Sequence, residues 1–73
     1  MNNLHWHVVK DNDLPHPFNE IMILLDTGIV YLGWYEGESQ MLPWNIPNYG
    51  TMTSFRVKAW CEIPAIPDDL RRK

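Results

Sequence analysis

The sequence predicts an all-β domain, at most a small α+β one: an antiparallel meander of four to five short strands curled into a half-barrel. Three observations carry this. Six prolines and four glycines cut 73 residues into pieces too short for a long helix. Residues 28–37 read as a strand that is apolar on both faces, with Ile29, Tyr31 and Tyr35 on one side around Gly33 and Val30, Leu32 and Trp34 on the other. Residues 54–63 alternate, placing Phe55, Val57, Ala59, Cys61 and Ile63 on a core side and Ser54, Arg56, Lys58 and Glu62 toward water.

In chain order, a first strand is expected over 5–9, ended by the polar residues 10–13 and by Pro15 and Pro17. A second, 20–25, is nearly continuous in Ile, Met and Leu. A helix over 18–25 competes with it, because Phe18, Ile21, Met22 and Leu25 share helical spacing. Asp26, Thr27 and Gly28 fit a three-residue hairpin loop whose last residue is left-handed, so strands 20–25 and 29–36 should pair antiparallel. Residues 41–50 read as a proline-broken aromatic loop, too apolar for a tether. Trp60 interrupts the final strand's alternation, on the side of Lys58 and Glu62. Pro64 and Pro67 stop pairing there, which gives one domain over 1–67 and a charged tail over 68–73.

A chain of this length buries only about 60% of its unfolded surface and usually needs a staple. Cys61 is the only cysteine, so no internal disulfide forms, and no zinc-type Cys/His spacing is present. Trp6, Trp34, Trp44 and Trp60 are expected to supply much of the missing core, with homodimerisation as the alternative. The formal charge is −3, but Arg71, Arg72 and Lys73 hold half of the basic groups, so residues 1–70 set three basic groups against nine acidic ones, a net of −6. A body of that sign repels phosphates, and nucleic acid is not an expected partner. No stretch reads as a signal peptide or a membrane span, and an unpaired thiol agrees with the reducing cytoplasm.

No catalytic constellation is legible. Asp26-Thr27-Gly28 after an apolar strand is the aspartic-protease signature, but Ile29 stands where Ala or Ser is usual and no later element closes such a site; a turn explains it. His5 and His7 share a strand face, yet two imidazoles fall short of the three or four ligands a zinc requires. Ser39 and Ser54 lack a nucleophile elbow, and Cys61 reads as a buried hydrophobe. An enzyme and a cofactor are therefore not expected. The aromatics remain as binding candidates: Trp34, Trp44, Tyr49 and Trp60 are the residue types of interface hot spots, with Trp60 and the Trp44 to Tyr49 region the foremost.

The sequence also resembles the small bacterial and bacteriophage proteins of domain of unknown function 551. The order is Trp6, Leu14-Pro15, the apolar run 21–25, the turn at Gly28, the doublet Trp34-Tyr35, Trp44, then Trp60 with Pro64 and Pro67, covering about residues 4–67. The family's closing Thr-His-Trp-Met-Pro is replaced by Lys58, Ala59, Trp60, Cys61, Glu62, Ile63 and Pro64, so no role attached to that histidine carries over. The resemblance implies a small β-rich protein of phage or prophage origin, without an established activity. The expected function is non-enzymatic binding of a host or phage protein, in its narrowest form inhibition of a host defence system. Self-association, or binding of a metal or small ligand through His5, His7 or the Trp44 region, are the alternatives.

Overall fold

The computed structural model describes residues 5–64; Pro67, the boundary at 67 and the tail 68–73 lie outside them. Six strands are present: β1 (His7–Val8), β2 (Ile21–Leu25), β3 (Val30–Tyr35), β4 (Trp44–Ile46), β5 (Gly50–Met52) and β6 (Val57–Glu62), with 3-10 turns at Val9–Asp11 and Ser54–Arg56. Among the described residues there is no α-helix. Strand β2 replaces the competing helix: Ile21, Ile23 and Leu25 are buried while Met22 and Leu24 are half-buried, the period of a pleat.

Every pairing is antiparallel, in the order β1-β6-β2-β3-β4-β5. Strands β2 to β5 form the expected meander, and β6 returns to lie between β1 and β2. That return forces the curl. In a flat sheet β5 and β6 would lie about 19 Å apart, four spacings of about 4.8 Å. Only residues 53–56 connect them, and three of these are in a 3-10 turn that rises about 2 Å per residue. The sheet must bend until β5 approaches β6, which makes the half-barrel.

The Asp26 to Gly28 loop forms as expected. Gly28 has φ +89°, its N–H donates to the Leu25 carbonyl at 2.9 Å, and the Leu25 N–H donates to the Ile29 carbonyl at 3.1 Å. Arg56 Nε reaches both Asp26 carboxylate oxygens, at 3.2 and 3.1 Å, and so ties this turn to the second 3-10 turn.

Two expectations are corrected. Residues 41–50 are not a plain loop, because Pro43 and Pro47 flank β4 instead of interrupting it, and β4 pairs with β5. Tyr49 N–H donates to the Ile46 carbonyl at 2.9 Å with Asn48 at φ +68°, a turn for which proline followed by asparagine is well suited. The second correction concerns β6. Leu24 faces Ala59 but Leu25 faces Val57, so Lys58 is an extra residue on β6 and the register shifts there. A bulge reverses the phase of alternation. Before it Val57 points inward; after it Trp60 points inward, while Ala59 and Cys61 turn outward. Phe55, expected in the core, lies in the 3-10 turn and is 97% exposed.

The core therefore comprises Ile21, Ile23, Leu25, Tyr35, Trp44, Ile46, Met52, Val57 and Trp60, with Val9 from the N-terminal side. At Gly33, β3 passes from β2, paired through Val30 to Gly33, to β4, paired through Trp34 and Tyr35. A Cβ at Gly33 would collide with the Asn45 carbonyl oxygen and come within 3.0 Å of Ile23 Cδ1, so the close crossing requires glycine.

Candidate functional site

The outer face of the sheet follows from register, since residues opposite one another project to the same side. One row across it is Val8, Ala59, Leu24 and Val30; the next is Cys61, Met22 and Leu32. Neither row contains a charged or polar side chain. Ala59 and Cys61 are buried yet do not belong to the core cluster, which agrees with their lying on this opposite face. Val8, Val30 and Leu32 are exposed, Leu32 by 52%.

A third row is polar and bounds the patch. Trp34 faces Asn45, which faces Thr51. Glu36 Oε2 accepts from Trp34 Nε1 at 2.8 Å and from Asn45 Nδ2 at 3.3 Å. The indole N–H of Trp34 is thereby satisfied while its half-buried ring extends the apolar rows at one end. Of the two apolar sides of 28–37, Val30, Leu32 and Trp34 are thus outward and Tyr31 and Tyr35 inward; on this outer face the β3 end is exposed, whereas Ala59 and Cys61 of β6 are buried.

The other three binding candidates are placed differently. Trp44 is 0% exposed, with Nε1 donating to Ser54 Oγ at 2.8 Å and its ring tilted against Tyr35. Trp60 is 6% exposed; its Nε1 donates to the Asp13 carbonyl at 2.7 Å and His7 stacks on it at 4.1 Å. Neither ring offers an exposed face, and the position of Trp60 on the polar side is corrected by the Lys58 bulge. Tyr49 is exposed at the β4–β5 turn, tilted against Tyr31 at 4.8 Å. Its hydroxyl, and next the Asp26 carboxylate, raise the pKa of the Arg56 guanidinium. Trp34 and Tyr49 thus lie on the surface, and the sheet does not bring all four candidates together.

His5 packs edge-on against His7, whose Nδ1 lies 2.8 Å from an Asp13 oxygen. Among the described residues no three His, Cys, Asp or Glu side chains gather as a metal would need. Nor is any helix there long and apolar enough to cross a membrane.

A concave surface, separate from the outer face, lies at the open seam of the half-barrel, between the first 3-10 turn, residues 38–43 and the second 3-10 turn. Its volume is about 1140 Å³ and its lining is mainly apolar. Tyr35 contributes to its wall. Burial, and secondarily the neighbouring Glu38 carboxylate, push the Tyr35 phenol above its usual 10.0. The folded state then holds this proton more tightly than the unfolded chain, so the associated stability is present below pH 10 and is lost as pH rises through the folded value. Alkaline absorbance titration is expected to show a tyrosine ionising late, a step that Tyr35→Phe removes; an unchanged late step in that variant would contradict the assignment.

The seam was not legible in the sequence. Phe55 and Met41, the most exposed large apolar residues at its mouth, read there as core and as loop. Comparison with family models, with curated proteins and with solved structures gives no match.

Proposed function

We propose that this chain is a small non-enzymatic protein-binding domain that docks through the outer face of β2 and β3. The observation that carries this reading is the pair of wholly apolar rows ending in exposed Val30 and Leu32. Contiguous apolar patches of this kind mark interaction sites more often than idle surface. The partner is a protein of the host or phage, and the site of action is the cytoplasm. The phage connection and membership of domain of unknown function 551 are supported by the order of Trp6, Trp34, Trp44 and Trp60 among the prolines; a role against host defence rests on that likeness and on small size.

The same observation favours one second reading. An uncharged face is self-complementary, so two copies could pair on it through an isologous contact. Leu32→Glu tests both. Leu32 is exposed, so the variant should keep its melting temperature within a few degrees. If the partner reading holds, the parent chain is monomeric by light scattering, and co-purification of its partner from host or phage-infected cells falls more than about tenfold in the variant, as for a hot-spot loss. A concentration-independent parent dimer that Leu32→Glu converts to monomer would replace the first reading with the second. Unchanged partner capture would remove the outer face from the first reading, and a parent dimer unchanged by Leu32→Glu would remove it from the second.

A further inference from the structure

The seam groove has a charge pattern that the outer face lacks. Its charged lining residues are Lys10, Lys58 and Glu38. The described residues contain three Lys or Arg side chains, and Arg56 is paired with Asp26. The other two, Lys10 and Lys58, have no carboxylate partner among the described residues, and both border this groove. They lie on adjoining segments: Val8 is opposite Ala59, and the first 3-10 turn, which carries Lys10, follows β1 alongside the start of β6, which carries Lys58. In a chain whose formal charge is −3, two lysines that form no ion pair among the described residues stand on one apolar wall, with Glu38 the one carboxylate among the groove's lining residues.

The rest of the groove is apolar. Val9, Leu14 and Val57 form the floor, and Phe55 and Met41 stand at the mouth, 97% and 90% exposed. Exposed large side chains beside a concave apolar floor are hot-spot geometry. The groove is open along its length and encloses about 1140 Å³, room enough for an extended chain.

We propose that this groove binds an extended acidic segment of a partner protein, with its apolar side chains on Val9, Leu14 and Val57 and its carboxylates at Lys10 and Lys58. Glu38, near Tyr35, repels a second acidic end and so sets the direction in which the segment lies. The site extends the protein-binding reading to a second surface and does not depend on the first. Val8 alone of the outer apolar rows also borders the groove.

The test is fluorescence anisotropy with a short labelled peptide that alternates leucine with aspartate and glutamate, beside a version carrying lysine in place of the acids. The acidic peptide should bind the parent chain, more tightly at low salt, and at least about tenfold better than the basic one. The double variant Lys10→Glu with Lys58→Glu should reverse that preference. Both lysines are exposed, so this variant keeps its fold, checked by its melting curve. Phe55→Ser should weaken the acidic peptide, whereas Leu32→Glu should leave it unchanged, which separates this groove from the outer face. Equal binding of the two peptides, no binding of either, or loss of binding in Leu32→Glu would each overturn the proposal. So would displacement of the peptide by a straight-chain fatty acid at equimolar concentration, since the groove would then be a small-amphiphile site.

Discussion

Trp60→Ala is expected to cost about 3–5 kcal/mol, the range for losing a buried aromatic. A domain of this size has little more than that to lose, because a single small core rarely supplies more than about 3–5 kcal/mol. The variant should therefore be largely unfolded at 25 °C, without a cooperative melting transition. Several contacts fail together. Trp60 faces Ile23 on β2 and His7 on β1, and its Nε1 holds the Asp13 carbonyl, so one ring joins the sheet centre to the N-terminal segment. Trp60→Phe separates the parts: it keeps most of the apolar ring but leaves that carbonyl without its donor, for an expected loss of about 1–3 kcal/mol. At about 4–8 °C per kcal/mol for domains of 60–100 residues, the phenylalanine variant should melt visibly earlier yet still cooperatively. An alanine variant that melts within a few degrees of the parent would show that the ring is not a core element.

Gly33→Ala has the second largest expected effect, and it acts through backbone instead of a lost side chain. The atom that an added Cβ meets is the Asn45 carbonyl oxygen, part of the β4 main chain, which cannot swing aside as a flexible side chain would. Either β4 moves away from β3 or the crossing opens, and overpacking of this kind costs about 1–3 kcal/mol or more. Because β3 pairs with β4 over just Trp34 and Tyr35, extended by the Glu36 N–H to the Pro43 carbonyl, the damage should concentrate in the β4–β5 hairpin. Hydrogen exchange should show amides of β4 and β5 losing protection before those of β2 and β6. Uniform loss of protection across the sheet would mean that the clash is relieved elsewhere. Gly28 offers the contrast: its Cβ would meet nothing within 4 Å, and only its φ of +89° disfavours alanine.

What could be read from the residues follows from how local each signal is. The β2–β3 hairpin was legible because its strands, its three-residue loop and its glycine are contiguous. So was the two-faced character of β3, since six consecutive residues carry it. The half-barrel followed from the short pieces between prolines. The Lys58 bulge was not legible, because a phase reversal is set by which β2 residue lies across from β6, and that contact is made across more than thirty residues of chain. Reading the alternation straight through it exchanged Ala59 and Cys61 with Trp60. Trp44 escaped for a related reason: prolines at 43 and 47 suggest a loop when considered alone, but three residues between them suffice for an edge-proximal strand. The seam groove is assembled from four separate stretches, and its two lysines are 48 positions apart in the sequence.

The insertion of β6 between β1 and β2 also dictates when the molecule can become itself. A nascent chain emerges from its N-terminus, so β2 to β5 are available first, as a meander of near neighbours, while the strand that must fill the gap beside β2 comes last. Until it arrives, the Ile-Met-Ile-Leu-Leu edge of β2 stands open to any other strand in its surroundings. Pairing along that edge of β2 can be completed only once β6 is free to reach it, and the interval before that moment is when this edge is most exposed to aggregation and to the chaperones that prevent it.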